Sequence, residues 1–257
     1  MFSADLGEDR IIRGGKRLAG KRVLYFNGVQ IYRGRLDDEM AAKLVSFCRD
    51  LATKNANEFV RIRAGAVTFA GGAVIFPSMP EPHLPALVSL LVRAGSGYLG
   101  DEEVHVDPVL WKIHGTGVPI LLDEDDLGLL PELTREANPR RRRRDSRPET
   151  QALTPRRLVA PQELGGRFAD PAPLRWIVLP EFTPGADTRL EALGGSGALF
   201  QIVRSVLNLN TWGDRALLFL RELLDTVPTS RLVVGSLPGA SELVLEAAPR
   251  IMEEVSQ

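Results

Sequence analysis

The sequence contains very little cysteine and histidine, and it has no long apolar run. Cys48 is the only cysteine among 257 residues, which excludes an internal disulfide framework and a cysteine-rich metal site. None of the three histidines is spaced from another as HxxxH or HxH, so we expect no metal site. No apolar segment approaches the ~20 residues that span a bilayer, and the N-terminus lacks an apolar signal core. These absences predict a cytoplasmic protein without a membrane partner.

The chain also lacks an excess of charge of either sign. Its composition is 44% hydrophobic and 25% charged, with a formal net charge of −1. Such a molecule has no long-range field that would attract nucleic acid or an anionic membrane, so any such affinity must be local. Cys48 falls on the apolar side of a helical pattern, which predicts a buried, unreactive thiol.

The N-terminal segment predicts a hairpin followed by a helix. In "KRVLYFNGVQIYRG" two β-rich runs flank Asn27-Gly28, a dipeptide that accepts the positive φ angles of a type I′ turn. In "LDDEMAAKLVSFCRDLATKN" the apolar residues recur at helical spacing, behind an acidic start. Residues 1–56 therefore predict a small αβ N-terminal element.

The next segment predicts two strands, a loop and a helix. "EFVRIRAGAVTFAGGAVIFP" contains two strand-like runs around the Gly71-Gly72 turn, and the second run lacks alternation, which indicates burial on both faces. After the loop, Leu84 begins a helical apolar stripe, and Pro85 suits its first turn. "SGYLGDEEVHVDP" then predicts a strand end, an acidic corner and another strand.

An arginine run interrupts the chain before order returns. Prolines flank the run, and like charges repel, so we predict an exposed loop at about 134–158. The alternative is a contact with an acidic peptide or protein; base stacking with nucleic acid is not expected, because no aromatic residue is interleaved. The run consists of Arg140, Arg141, Arg142, Arg143 and Arg144.

The remaining sequence alternates between strand and helix patterns. "PLRWIVLPEF" and "SRLVVGSL" predict strands, whereas "GALFQIVRSVLNLN" and "DRALLFLRELLDTV" predict helices. "GASELVLEAA" predicts a final helix that ends before Pro249. The fold class that this alternation predicts is α/β.

From about residue 59 to 245 the order of these segments resembles the catalytic domain of HPr serine kinase/phosphorylase and its shorter relatives. The resemblance is carried by "IRAGAV", "AVIFP", "LVRAG", the acidic pair after "YLG", and "LRWIVLPEF". It implies that residues 57–257 form an HPr-kinase-like, P-loop-containing α/β domain related to phosphoenolpyruvate carboxykinase. The resemblance does not extend to residues 1–56.

The phosphate loop departs from the family's pattern. A working loop reads GxxxxGK[ST], in which backbone amides and lysine bind phosphate and the hydroxyl holds Mg²⁺. Counting back from "LVRAG", this octet falls on "SMPEPHLP" at residues 78–85, which we name the altered loop. Ser78 and His83 replace the glycines, Leu84 replaces the lysine, and Pro85 replaces the hydroxyl residue.

The other residues of the altered loop also disfavour phosphate. Pro80 and Pro82 remove backbone donors, and Glu81 places a negative charge where phosphates would lie. Arg63 occupies the position where the kinases carry histidine. We therefore expect no cofactor, and in particular no ATP or Mg²⁺ bound in the family's manner.

The acidic corner keeps the family's pattern. The resemblance implies that Asp101 would take part in proton transfer and that Glu102 would lie near the metal; the simpler interpretation is an acidic turn before a strand. His83, at the mouth of the altered loop, is either an exposed loop residue or an acid/base group of unrelated chemistry.

Three functional hypotheses follow. The first is a pseudokinase that acts as a peptide- or protein-binding accessory or scaffold, as the shorter relatives suggest for peptide-modification or natural-product pathways. The second is an active serine/threonine kinase that binds ATP and Mg²⁺ unconventionally and uses Asp101 as base. The third is a non-kinase enzyme that uses Asp101, Glu102 and His83. Enzyme activity and oligomeric state stay open, a homo-oligomer being one option.

Overall fold

The computed structural model of the chain describes residues 2–6, 10–12, 16–18, 20–34, 37–54, 56–79, 83–123, 125–134 and 156–254. The predicted site residues Glu81 and Arg140–Arg144 lie outside these ranges.

The N-terminal strands form two small antiparallel sheets. One sheet has the order β1-β4-β5, and the other consists of β2 and β3. Asn27 and Gly28 have φ angles of 49° and 81°, which confirms the predicted turn between β4 and β5. The strands are β1 (Phe2–Leu6), β2 (Arg10–Ile12), β3 (Lys16–Leu18), β4 (Arg22–Phe26) and β5 (Val29–Gly34).

Helix α1 (Asp37–Lys54) covers this N-terminal sheet. Its Phe47 ring lies 5.0 Å from that of Phe26 on β4. The prediction of a buried Cys48 was wrong, because this side chain is exposed.

The strands of the main sheet come from both halves of the chain. Its core is the run β8, β15 and β17, which are parallel neighbours. The strands are β6 (Val60–Ile62), β7 (Ala64–Phe69), β8 (Gly72–Pro77), β9 (Gly97–Gly100), β10 (Val104–Val106), β11 (Lys112–His114), β14 (Arg167–Phe168), β15 (Ala172–Phe182), β16 (Arg189–Ala192) and β17 (Thr229–Val234).

Strand β15 connects the two parts of this sheet. On one side it pairs with β8, which continues through β7 and β9 to β14. On the other side its beginning pairs with β11, followed by β10 and β6, and its second half pairs with β17, followed by β16. The sheet contains parallel and antiparallel pairs, so the chain is α/β with a large mixed sheet, in agreement with the predicted class.

Helices cover both faces of the sheet. Val74 and Phe76 of β8 contribute to one buried cluster, and Ala73 and Ile75 contribute to another. Successive side chains of a strand point to opposite faces, so β8 is buried on both, as its lack of alternation predicts. The helices of the first face are α2 (Leu84–Arg93) and α7 (Leu237–Glu254), and those of the second are α4 (Gly195–Ser205), α5 (Leu209–Trp212) and α6 (Asp214–Thr226).

A short segment lies beside α2. Strand β12 (Ile120–Asp123) leads to a 3-10 helix (Asp126–Leu129) and to α3 (Pro131–Thr134). Strand β13 (Arg156–Val159) pairs with β12 and contacts α1, and a second 3-10 helix spans Pro161–Leu164. Strand β13 lies at the end of the loop predicted at about 134–158, and residues 135–155 of that loop lie outside the described part.

The predicted end of the last helix was also wrong. Helix α7 continues through Pro249 to Glu254, although an internal proline removes one hydrogen bond at a cost of about 3 kcal/mol. Ala248, Ile251 and Met252 are buried around this point. The burial of these side chains offsets the lost hydrogen bond. A prediction from the local sequence does not include this stabilisation by tertiary packing.

Candidate functional site

The carboxyl end of β8 leads into the altered loop. The acidic corner, which consists of Asp101, Glu102 and Glu103 after β9, lies next to it. The Ser78 N–H donates to the Arg63 carbonyl at 3.2 Å, and the Ala64 N–H donates to the Glu102 carbonyl at 3.2 Å. The backbone of residues 63–64 thus connects the loop with the corner. The structure brings Arg63, Ser78 and Glu102 together at the same end of strands β7, β8 and β9.

Leu84 and Pro85 are buried at the start of α2. Leu84 is 3% exposed and belongs to the core between α2 and the sheet. It packs against Gly65 of β7: a β-carbon built on this glycine would lie 3.2 Å from Leu84 Cδ1 and 2.6 Å from Val88 Cγ2. The absence of a side chain at Gly65 allows this close approach. Leu84 is therefore a core side chain.

Asp101 links two strands. Its side chain is buried, and its Oδ1 accepts a hydrogen bond from the Tyr98 hydroxyl at 2.8 Å. Its Oδ2 accepts a hydrogen bond from the Leu121 N–H at 3.0 Å. Both carboxyl oxygens thus bind groups of the protein, and they hold β12 against the end of β9. Asp101 therefore has a structural role.

Glu103 forms the centre of a buried charged group. Its Oε1 accepts a hydrogen bond from Arg61 Nε at 2.7 Å and lies 3.2 Å from His105 Nε2. Burial raises the pKa of Glu103, but the hydrogen bonds from His105 and Arg61 outweigh it, so the pKa lies below its ordinary value of 4.5. Glu103 is therefore ionised at neutral pH.

His105 and His114 face each other across β10 and β11. The Phe59 ring stacks on His105 with a centroid distance of 5.8 Å and contacts His114 at 4.9 Å. His114 Nε2 is buried and has no hydrogen-bond partner among the described residues. Despite this pair, the described part of the chain holds no group of three His, Cys, Asp or Glu side chains arranged for a metal ion.

We expect Glu103→Gln to lower the melting temperature at pH 7 by about 3–6 °C, since a buried charge-assisted hydrogen bond contributes about 1.5 kcal/mol. The pKa of Glu103 is lower in the folded than in the unfolded protein, so its ionised form stabilises the fold at pH values above the unfolded-state pKa. This stabilisation is lost as the pH falls through the folded-state pKa. The difference between variant and wild type should therefore shrink below about pH 4. Thermal unfolding from pH 3 to 8 measures it.

Glu191→Gln is the matched control, because Glu191 and its partners Arg189 and Arg231 lie at the surface. A difference near zero is expected there. If Glu103→Gln has no more effect at pH 7 than Glu191→Gln has, the charged group around Glu103 does not stabilise the fold.

His83 contacts a carboxylate that the sequence did not associate with it. His83 directly precedes α2, and its Nδ1 lies 3.3 Å from Asp126 Oδ1. The histidine side chain is 47% exposed, whereas that of Asp126 is 7% exposed. The Phe182 ring, at the end of β15, lies 6.0 Å from the imidazole. His83 is thus an exposed residue with a buried acidic partner.

The environment of Asp126 disfavours its charge. Burial is the largest cause and raises the pKa of Asp126; the negative charges of Asp123 and Asp125 raise it further, and the His83 hydrogen bond only partly opposes them. The acidic residues after β12 are visible in the sequence, but no spacing connects them to His83. Only the packing of the 3-10 helix against the start of α2 does so.

No family model matches the chain, and no curated protein matches it at significant similarity. None of the described helices combines the length and the apolar character needed to cross a membrane.

Proposed function

We propose that this chain is an HPr-kinase-like domain with a degenerate nucleotide site, which acts as a peptide- or protein-binding accessory or scaffold and not as a kinase. The observation that carries the proposal is the burial of Leu84 and Pro85 at the positions of the family's lysine and hydroxyl residue.

The sheet supports the P-loop-like part of this proposal. In P-loop proteins the phosphate loop connects a buried strand to a helix that packs on the same sheet. Here β8 is buried on both faces, has a parallel neighbour in β15, and continues through the altered loop into α2. The acidic corner lies at the same edge. This arrangement is compatible with the resemblance.

The altered loop supports the loss of nucleotide binding. Phosphate binding requires a cation and free backbone N–H groups at the start of the helix. The buried Leu84 supplies no cation, and Pro85 has no N–H to donate. Asp123, Asp125 and Asp126 instead gather negative charge near His83. A phosphate group at this position would therefore find neither a cation nor a proline N–H to bind, and the nearby carboxylates would repel it.

One observation favours the alternative of an active kinase. Arg63, Ser78 and Glu102 lie at one edge of the sheet, as a substrate and metal site would require. Asp101 is the proposed base of this alternative, and the hydrogen bonds that it accepts from Tyr98 and Leu121 also give it a structural role.

Isothermal titration with ATP and Mg²⁺ tests the proposal. We expect no binding tighter than a Kd of ~1 mM, which corresponds to about −4 kcal/mol. Micromolar binding of ATP that Asp101→Asn abolishes would contradict the proposal and support the kinase.

A second arm tests whether the arginine run contacts an acidic partner, the alternative that the sequence leaves open. Fluorescence anisotropy with a labelled poly-glutamate peptide is expected to show binding that weakens with salt, because salt screens exposed charges. Replacing the five arginines at 140–144 by glutamine should abolish this binding. Equal binding by both proteins would exclude the arginine run as the contact, but would leave the result with ATP unaffected.

A further inference from the structure

Strand β16 is one of the end strands of the main sheet. It pairs with β17 in antiparallel register, with Arg189 opposite Val233 and Ala192 opposite Ser230. Within the described ranges no strand pairs with the other side of β16. An end strand presents N–H and C=O groups to its outer side, and these groups can pair with a strand of another chain.

The other two end strands of this sheet offer less. The outer side of β6 is covered by the segment after α4, because Ile62 forms a bridge with Val206 and the Arg63 N–H donates to the Ser205 carbonyl at 2.7 Å. Strand β14 has only two residues. In the part of the chain that the structure describes, β16 is therefore the end strand best suited to accept another strand.

The register with β17 determines which backbone groups of β16 point outward. In an antiparallel pair, residues that exchange hydrogen bonds with the neighbouring strand alternate with residues that do not. The Leu193 N–H donates to the Thr229 carbonyl at 3.0 Å, so Glu191, two positions earlier, also bonds to β17. The N–H and C=O groups of Leu190 and Ala192 therefore point away from β17, toward the outer side.

The side chains of β16 carry opposite charges on one face and a leucine on the other. Arg189 and Glu191 share one face, where their side chains are 50% and 40% exposed and Arg189 Nε lies 2.6 Å from Glu191 Oε1. Arg231 Nη1 of β17 lies 3.7 Å from Glu191 Oε2 on the same face. Leu190 lies on the opposite face, partly buried against the core cluster that contains Leu232.

This pattern is complementary to itself. If two copies of β16 pair antiparallel about a twofold axis at Leu190, the two Leu190 residues form a hydrogen-bonded pair and each Ala192 faces Thr188 of the other copy. The same register places Arg189 of each copy opposite Glu191 of the other copy, in the closely spaced pairs that exchange no hydrogen bonds. Opposite charges directly across two strands stabilise their pairing.

Other registers of the same two strands are disfavoured. A shift by two residues in one direction places Glu191 opposite Glu191, and a shift in the other direction places Arg189 opposite Arg189; like charges in these positions destabilise the pair. A shift by one residue brings outward-facing backbone groups against residues that already bond to β17. The charges and the backbone therefore select the register centred on Leu190.

We propose that β16 binds a second copy of this chain as an antiparallel strand pair centred on Leu190, so that the main sheet continues across a twofold dimer. The dimer requires neither a nucleotide nor an acidic partner, so it is independent of the proposed function. Because small interfaces bind weakly, we expect a reversible dimer with a Kd of roughly 10–100 µM.

Sedimentation velocity of the full chain tests the dimer at concentrations of roughly 1–500 µM, which bracket this Kd. The wild type should change from monomer to dimer across the range. Arg189→Glu and Glu191→Arg each place like charges opposite one another in the proposed register, so each variant alone should stay monomeric. An equimolar mixture of the two variants should form a dimer again, because every facing pair then has opposite charges.

Arg221→Glu is the matched control, since Arg221 is an exposed arginine of α6 that also has a carboxylate partner, Asp225. Its dimer should be unchanged. Ala192→Pro removes an outward N–H without removing a hydrogen bond to β17 and should weaken the dimer about tenfold. Circular dichroism verifies that each variant is folded; if a charge variant is not, Ala192→Pro decides.

Three results would overturn the proposal. The first is a wild type that stays monomeric over the whole range of concentrations. The second is a dimer that persists in Arg189→Glu or in Ala192→Pro, because the contact would then lie elsewhere on the molecule. The third is a mixture of the two folded charge variants that stays monomeric, because the facing pairs would then not be those of the register centred on Leu190.

Discussion

Replacing Asp101 by alanine is expected to lower the melting temperature by about 6–12 °C. The change would remove the acceptor of the buried Tyr98 hydroxyl and of the half-buried Leu121 N–H, at a combined cost of about 3 kcal/mol. Strand β12 would lose its attachment to the end of β9. Differential scanning calorimetry measures the effect.

Asp170→Ala provides the control for the first prediction, since Asp170 is exposed and the same atoms are removed. Its effect should stay within about 0.5 kcal/mol. A carboxylate kept only for catalysis often destabilises a fold, so its removal would leave stability unchanged or raise it. A variant Asp101→Ala as stable as Asp170→Ala would therefore contradict the structural task and favour the kinase alternative.

Replacing Leu84 by lysine is expected to destabilise the chain by about 3–5 kcal/mol, because an ammonium group would enter the apolar core beside Gly65. The corresponding decrease in melting temperature is roughly 6–20 °C. Chemical denaturation gives the free energy of unfolding, and the double variant Leu84→Lys, Pro85→Ser shows whether the family's residues restore ATP binding. We expect that they do not.

Leu84→Met separates the effect of charge from that of shape, since a volume-conserving change costs less than about 1.5 kcal/mol. A lysine variant as stable as the methionine variant would show that the side chain at position 84 can leave the core. If the double variant then bound ATP at micromolar concentration, the altered loop would still have the geometry of a phosphate loop, and the proposed loss of function would rest on two side chains alone.

The sequence predicted the elements whose signals are local. The Asn27-Gly28 turn needs only two residues that tolerate positive φ, and β8 needs only an uninterrupted apolar run. The start of α2 follows from Pro85 within a stripe of helical period. The α/β class could be predicted for the same reason, because alternating periodicities are readable within windows of a few residues.

The misplaced end of the last helix has a tertiary cause. Pro249 lies inside α7 because Ala248, Ile251 and Met252 around it are buried. Contacts with distant segments decided this outcome. Propensity and pattern contain no term for those contacts.

The same distinction applies to the candidate site. The sequence by itself determined that the altered loop lacks the lysine, the hydroxyl and the glycines of a phosphate loop, since chemistry that is absent from a chain cannot be supplied by folding. Only the tertiary structure decided that Leu84 is a core residue, that Asp101 holds two strands together and that His83 meets Asp126. Burial and hydrogen bonding depend on which segments meet, and these segments meet through the sheet rather than through their order in the chain.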